Sequence, residues 1–355
     1  MARDATSAVH IGFDVGGTKI FGVVTDHDGA VQRTLREPTP DGAVPLMAAL
    51  ADMTARLGSG SRPVSVGVGM AGLITLDGRV TVSPNLTDVD GADIGSGLSE
   101  LLDMPVFLDN EVNCAARWEM SAGAARGVRN GVMVSLGTGI GGASMLNGEV
   151  LRGSGGLAGE PGHMIVEAGG RQCACGRRGC WEMYASGSAL DRMAVERLGD
   201  AFRGPEVTAA ARQGDAAALG VLDEFAYWLA LGISNLCILT DPEMVVIGGG
   251  LSEDWDLLAR STDEHVTALL IGRSAESHPR IVPSEAGELS AALGAALGGV
   301  QSHSAALGGV QSHSAALGGV QSHSAALGGV QSHSAALGGV QSHSAALGGA
   351  SSRVT

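Results

Sequence analysis

A chain that carries His163, Cys173, Cys175 and Cys180 in one short, glycine-punctuated run has to fold that run around a point. Thiolates and an imidazole at this spacing suit tetrahedral Zn(II), because glycine turns let successive sulfurs converge on one ion. Four protein ligands fill the coordination sphere, so the metal expected here is structural, with no open position for a substrate. Small buried thiols beside an unrelated histidine are the plain alternative, and the ligand spacing outweighs it. Glu160 and Glu182 stand just outside the ligand set and read as polar residues of a pocket that the metal holds in shape.

Length bounds the rest. At 355 residues the chain has room for two domains, each with its own core. No apolar run is expected to span a membrane, and the start MARDATSAVH lacks the features of a signal peptide. Together with a thiol cluster of metal-ligand type, this predicts a reducing, cytoplasmic setting. The net charge of -15 predicts a surface that repels nucleic acid. Lys19 is the only lysine, which draws attention to its surroundings.

Those surroundings read HIGFDVGGTKIFGVVT from His10 to Thr25. Two β-rich runs meet at Gly16-Gly17, the pattern of a hairpin. Consecutive backbone N–H groups at Gly16 and Gly17, with the Thr18 hydroxyl and the Lys19 ammonium, can cradle phosphate oxygens, and Asp14 can sit beside a magnesium ion. The Walker pattern GxxxxGK[ST] is absent. Apolar spacing predicts a helix over 43–57 and a buried strand over 64–70, followed by the turn Ala71-Gly72. Asn85 lies in a polar loop, SPNL. A strand over 105–108 delivers Asp109, Asn110, Glu111 and Asn113 at its carboxyl end, where ligands collect in α/β folds. A helix N-cap with an acidic first turn explains the same residues structurally, and both readings can hold. A second strand-to-glycine turn carries Thr138, and the strand 244–247 ends in Gly248-Gly249-Gly250, where a flat base or ribose could approach the backbone.

From Ala295 the decapeptide AALGGVQSHS repeats. Ten residues advance a helix by about 1000°, about 80° short of three turns, so the leucines cannot form one stripe. One Leu and one Val per repeat cannot bury a core, which predicts a disordered tail over 299–355, and its evenly spaced histidines have no local chelating geometry.

The order D-x-G-G-T, acidic-Asn cluster, G-T-G, E-x-G-H, C-x-C-x4-C-x-E and G-G-G resembles the ROK family of sugar kinases and repressors, from Ile11 to about Gly298. The resemblance implies an α/β fold of two actin-like ATPase (ribonuclease H-like) domains around a cleft. The small one would cover 1–117 with a returning helix at 285–298, and the large one, holding the zinc, 118–284. It implies that Gly16, Gly17, Thr18, Lys19 and Thr138 contact ATP phosphates, with Asp14 near Mg(II) and Gly248 and Gly249 beside the nucleoside. Glu160, His163 and Glu182 would bind sugar hydroxyls with Gly72, Asn85 and Asn110, while His163 also holds structural Zn(II) with Cys173, Cys175 and Cys180. The implied reaction transfers the γ-phosphoryl group of ATP to a primary hydroxyl of glucose or a glucose-like ring, with a carboxylate as base.

The chain departs from the family pattern where PNLTDVDG lacks the tryptophan that often follows the Asn-Leu of the sugar loop, and again at the base. Family kinases carry Asn-Asp with the aspartate as base, whereas here LDNEVN places Glu111 at that position and Asp109 before the asparagine. Both are candidates for the base. One extra methylene displaces a carboxylate by about 1 Å, enough to alter rate on the order of a hundredfold or to suit a different acceptor. A C7-cyclitol such as a valiolone, from aminocyclitol antibiotic biosynthesis, is the runner-up substrate. A non-catalytic sugar sensor is the third reading, disfavoured by the acidic surface and by the short stretch before the first strand, which leaves no room for a helix-turn-helix. A zinc hydrolase is a poor reading, because four protein ligands leave no open coordination position. Family members are commonly dimers or tetramers, which predicts a homo-oligomer.

Overall fold

The computed structural model describes residues 8–26, 28–273 and 277–306, with side chains of the last helix through His303. The elements below all belong to the compact unit formed within residues 1–311.

The first sheet starts from a hairpin of β1 (Ala8–Val15) and β2 (Lys19–Thr25), in which Asp14 faces Phe21 and Val15 faces Ile20. β3 (Val31–Pro38) pairs antiparallel with β2 and forms an exposed edge. After α1 (Ala43–Leu57), β4 (Arg62–Met70) adds parallel to β1. A small two-stranded sheet, β5 (Leu73–Ile74) with β6 (Val80–Val82), and α2 (Ile94–Leu102) lead to β7 (Val106–Asn110), which closes the order β3-β2-β1-β4-β7. α1 buries Leu46, Leu50, Met53 and Leu57 at helical spacing, and with Ile94 and Leu98 of α2 they join the β1 and β4 core. The expected helix 43–57 and strand 64–70 are therefore present, the strand starting two residues earlier.

α3 (Glu111–Ser121) follows β7 without a loop. The second sheet then forms from β8 (Gly131–Leu136), β9 (Ile140–Leu146), β10 (Glu149–Val150), β11 (Met244–Gly248) and β12 (Arg280–Pro283), in the order β10-β9-β8-β11-β12. Between β10 and β11 lie α4 (Glu182–Ala185), α5 (Gly187–Leu198), α6 (Gly204–Arg212) and α7 (Ala216–Thr240). α8 (Trp255–Leu269) follows β11. α7 packs its apolar side chains against Val132, Val134, Val245 and Ile247 of this sheet. Contrary to expectation, α7 is long and apolar enough to cross a membrane by length and composition, and half of that window is buried inside the protein. Its buried side chains, among them Leu222, Phe225, Leu229 and Ile233, join the core, while Leu219, Ile238 and Leu239 are exposed. Trp181 lies flat against the helix, where a Cβ at Gly232 would come within 1.9 Å of the indole, and donates its ring N–H to the Trp228 carbonyl at 2.8 Å.

The chain returns through α9 (Ser290–Ala306) to the open face of the first sheet. Two bare backbone positions allow that approach. A Cβ at Gly12 would lie 1.9 Å from the Ala292 carbonyl oxygen, and one at Gly67 1.8 Å from that of Ala295. Two expectations are corrected here. The returning helix does not stop at 298, and a disordered tail does not begin at 299. α9 continues to Ala306, with Gly298 against the Phe107 ring and Gly299 against Val66. The first repeat copy is thus part of the folded core, because its Ala and Gly residues fit a helix pressed onto strand backbone. Ala305 and Ala306 open the second copy, and the rest of the repeats lie outside the described residues. α3 also runs continuously through residue 117, packing on α9 and contributing Val112, Ala115 and Ala116 to a cluster with Met133, Met145 and Val246 of the second sheet.

Candidate active site

The carboxyl ends of parallel strands collect the polar residues singled out in the sequence. In the first sheet, Asp14 of β1 stands level with Gly69 of β4, and Gly69 level with Asp109 of β7. The turn after Asp14 is closed by the Gly16 N–H donating to the Lys19 carbonyl at 3.1 Å, and by the Thr39 hydroxyl donating to the Gly16 carbonyl at 2.6 Å. Gly17, Thr18 and Lys19 are exposed. The Asn85 loop sits on this turn, since a Cβ at Gly17 would lie 2.2 Å from the Asn85 carbonyl oxygen. Lys19 and Arg36 both pair with Glu288 in the turn before α9, Lys19 at 3.3 Å. Burial raises the Asp14 carboxyl to about 6, against the pull of Lys19 and with the push of Glu288.

In the second sheet, β8 ends at Leu136 and the exposed Thr138 follows in the turn to β9. β11 is its parallel neighbour, with Gly248 level with Ser135. Gly249, at φ 79°, passes so close that a Cβ would lie 2.5 Å from the Leu136 carbonyl oxygen, so a side chain is excluded by conformation and by space.

Asn110 ends β7 and caps α3, its Oδ1 accepting from the N–H groups of Val112 at 2.8 Å and Asn113 at 3.2 Å. Its amide nitrogen donates to the Gly72 carbonyl at 3.1 Å and to Glu111 Oε2 at 2.7 Å. The capping reading of this segment is thus met, and the cap leaves Asn110 beside Glu111 and Asp109 at the strand end. Burial raises Glu111 to about 8; a hydrogen bond from the backbone opposes this, and the charges of Asp14, Glu160 and Asp109 add to it. Asp109 differs in surroundings. It is fully buried, and its Oδ1 accepts from the Asn110 N–H at 2.8 Å and the Asn113 amide at 3.0 Å.

The zinc-type cluster forms as its spacing demanded. The ligand atoms of His163, Cys173, Cys175 and Cys180 all lie within 4.8 Å of one another. Cys175 and Cys180 sulfurs stand 3.5 Å apart, and Cys173 Sγ is 3.8 Å from His163 Nδ1. Tetrahedral Zn–S bonds of about 2.3 Å put sulfurs roughly 3.8 Å apart, so these residues fit the ion. Glu182 joins the cluster to the pocket. Its Oε1 accepts from Cys173 Sγ at 2.9 Å and lies 3.4 Å from His163 Nδ1, while its Oε2 would come within 2.6 Å of a Cβ at Gly139 beside Thr138. Glu160 is half-buried; burial raises its carboxyl, His163 lowers it and Glu182 raises it.

Residues 10–298 match the ROK family model. The chain belongs to the ROK family. It is 33% identical over 305 residues to a glucokinase of Streptomyces coelicolor, covering 81% of this chain and 96% of that one. It is also 30% identical over 290 residues to the xylose repressor of Bacillus subtilis, covering 80% of this chain and 75% of the repressor. Among solved structures, a ROK family glucokinase from Streptomyces griseus, in complex with glucose and AMPPNP, superposes with a TM-score of 0.74 at 32% identity, covering 82% of this chain and 99% of that one. The fold is that of the actin-like ATPase sugar kinases.

In this ROK chain the structure adds residues that the linear pattern did not single out. Arg152, in the glycine-rich stretch after β10, reaches Asp109 Oδ2 at 3.2 Å, and Arg117 of α3 stands 3.7 Å from the same oxygen. Glu119 of α3 is fully buried and accepts from the hydroxyls of Ser284 at 2.6 Å and Ser290 at 2.9 Å, fastening the segment that leads into α9. An arginine opening the run RGSGG just before the pocket segment was the one available signal for Arg152. Nothing in the local sequence marks Glu119.

Proposed function

We propose that this protein is an ATP-dependent kinase that transfers the γ-phosphoryl group to the primary hydroxyl of glucose or a glucose-like six-membered-ring polyol. The observation that carries the proposal is Glu111. Its carboxyl stands at the start of α3, held by Asn110, and feels both Asp14 beside the phosphate turn and Glu160 beside the zinc cluster. A base between a phosphate cradle and a hydroxyl-reading wall is what phosphoryl transfer to an alcohol requires. The kinship with glucokinases, one of them solved with glucose and AMPPNP, supports the same reading.

In this scheme Gly16, Gly17, Thr18, Lys19 and Thr138 hold the ATP phosphates, and Gly248 and Gly249 lie beside the nucleoside. Lys19 exchanges Glu288 for a phosphate oxygen when ATP binds. Asp14 is placed to hold Mg(II), which would neutralise charge on the phosphates. Glu160, His163 and Glu182 bind sugar hydroxyls, aided by Asn85, Gly72 and Asn110. His163, Cys173, Cys175 and Cys180 hold a Zn(II) that fixes their positions. The acceptor oxygen attacks the γ-phosphorus in line, the bond to ADP breaks, and the hydroxyl proton passes to the Glu111 carboxylate. Glu111 is preferred to Asp109 as base, because the latter is fully buried and faces two arginines. The sheets act as two lobes, about 1–117 with α9 and 118–284, whose closure excludes water as a competing acceptor.

A C7-cyclitol is the second acceptor class, supported by the longer reach of Glu111 where family kinases carry aspartate. ATP consumption measured across glucose, N-acetylmannosamine, fructose and a valiolone separates these readings. Turnover fastest with glucose is expected, turnover with the valiolone alone would move the assignment to cyclitols, and sugar binding without ATP consumption would make the protein a sensor, as its kinship to a repressor allows.

A further inference from the structure

We infer that Arg152 is a positioning residue that sets the acceptor pocket, clamping the loop that leads to Glu160 against the strand end that leads into Glu111. Three contacts converge on it. Its Nε lies 3.2 Å from Asp109 Oδ2, one residue from the Asn110 cap and two from Glu111. Its terminal nitrogen donates to the Thr75 carbonyl at 3.3 Å, just past the β5 strand that follows Gly72. Its own backbone carbonyl accepts from the Ala158 N–H at 3.2 Å, which closes the glycine loop two residues before Glu160. The same loop touches the β5 end a second time, since a Cβ at Gly156 would come within 2.7 Å of both the Ile74 carbonyl oxygen and the Leu76 nitrogen.

The charge at the centre of this clamp is exposed to loss. Asp109 Oδ2 is fully buried and has no hydrogen-bond partner among the described residues, so its charge is met by Arg152 and, at 3.7 Å, by Arg117. A buried carboxylate left with the farther guanidinium alone is poorly compensated. Its field would then bear more strongly on Glu111, which already faces Asp14 from β1 and Glu160 from the loop. Arg152 thus acts on the reaction through two routes, the position of the Glu160 loop and the charge felt by Glu111.

The inference rests on the proposed sugar-kinase reading, and its test separates the two. Arg152→Met and Arg152→Lys are compared with the parent chain by kcat and KM for glucose, by the pH dependence of kcat/KM, by melting temperature, and by hydrogen exchange of residues 151–160 in the sugar-free protein. Arg152→Met is expected to raise KM for glucose about tenfold or more, to move the acidic limb of the pH profile upward, and to speed exchange in 151–160. Arg152→Lys keeps the charge, so it restores the limb, while its single ammonium cannot also reach Thr75 and KM stays high. Melting temperature lowered with KM, pH limb and exchange all unchanged would reduce Arg152 to a structural contact and overturn the inference. If the parent chain phosphorylates no sugar, the kinase reading fails on its own, and unchanged exchange in 151–160 of Arg152→Met still overturns the clamp.

Discussion

Glu111 sits where burial and a helix start pull its ionisation in opposite directions, and burial prevails. With its carboxyl raised from 4.5 to about 8, the free enzyme holds it protonated at neutral pH, and the base form appears as pH rises through about 8. The rate of phosphoryl transfer is therefore expected to climb between about pH 7 and 9, read from the pH dependence of kcat/KM; a rate flat from pH 6 upward would remove Glu111 from that role. The same shift carries a stability consequence of definite sign. The unfolded chain releases this proton near 4.5 and the folded one near 8, so the folded state loses stability as pH rises between those values. Glu111→Gln cannot ionise and escapes that loss. It is expected to abolish turnover, to leave glucose binding nearly intact, and to melt higher than the parent at pH 8.5. A turnover assay, calorimetry and a thermal scan check these three outcomes, and full activity in the variant would sink the assignment.

At the scale of elements, two devices position these groups. The first is the Glu160–Glu182 segment, which has few regular elements and is shaped by its ligand cluster. Chelation, or Cys173→Ser, is expected to lower the melting temperature and weaken glucose binding together, because Glu182 contacts both Cys173 and the Gly139 turn. An unchanged melting curve after metal removal would refute a structural zinc. The second device is the packing of α9 on bare backbone. A Cβ at Gly294 would lie 1.7 Å from the Cys114 carbonyl oxygen of α3, so Gly294→Ala must push the two helices apart. Overpacking of this kind typically destabilises by about 1–3 kcal/mol, and more where backbone itself must shift. Denaturant unfolding should show at least that loss.

For the molecule as a whole, α3 and α9 run between the sheets, and α9 carries the first decapeptide copy into the core. Truncation after Gly298 removes the last two turns of α9, including the Gln301 side chain that accepts from Arg117 at 2.9 Å. That truncation is expected to lower stability measurably, whereas truncation after Ala306 leaves kcat, KM and melting temperature unchanged. Equal stability of the two truncated proteins would show that the extra turns contribute nothing.

Much of this was legible in the residues. The hairpin at Gly16-Gly17, the α1 helix and the strand ending in three glycines follow from local periodicity and turn chemistry, which neighbours in sequence decide. The thiol-imidazole cluster was legible for a related reason, since four soft ligands at short spacing have few other uses. The end of α9 was not. Its repeat lacks an apolar stripe and carries helix-breaking glycines, and only the strand backbone at Gly12 and Gly67 makes a small-residue helix the right shape. The division of labour between Asp109 and Glu111 was equally invisible. Two carboxylates flanking one asparagine have the same chemistry in the linear chain. Folding brings Arg152 and Arg117 to one and leaves the other with a neutral amide among carboxylates, because a charge's environment is set by groups distant in sequence.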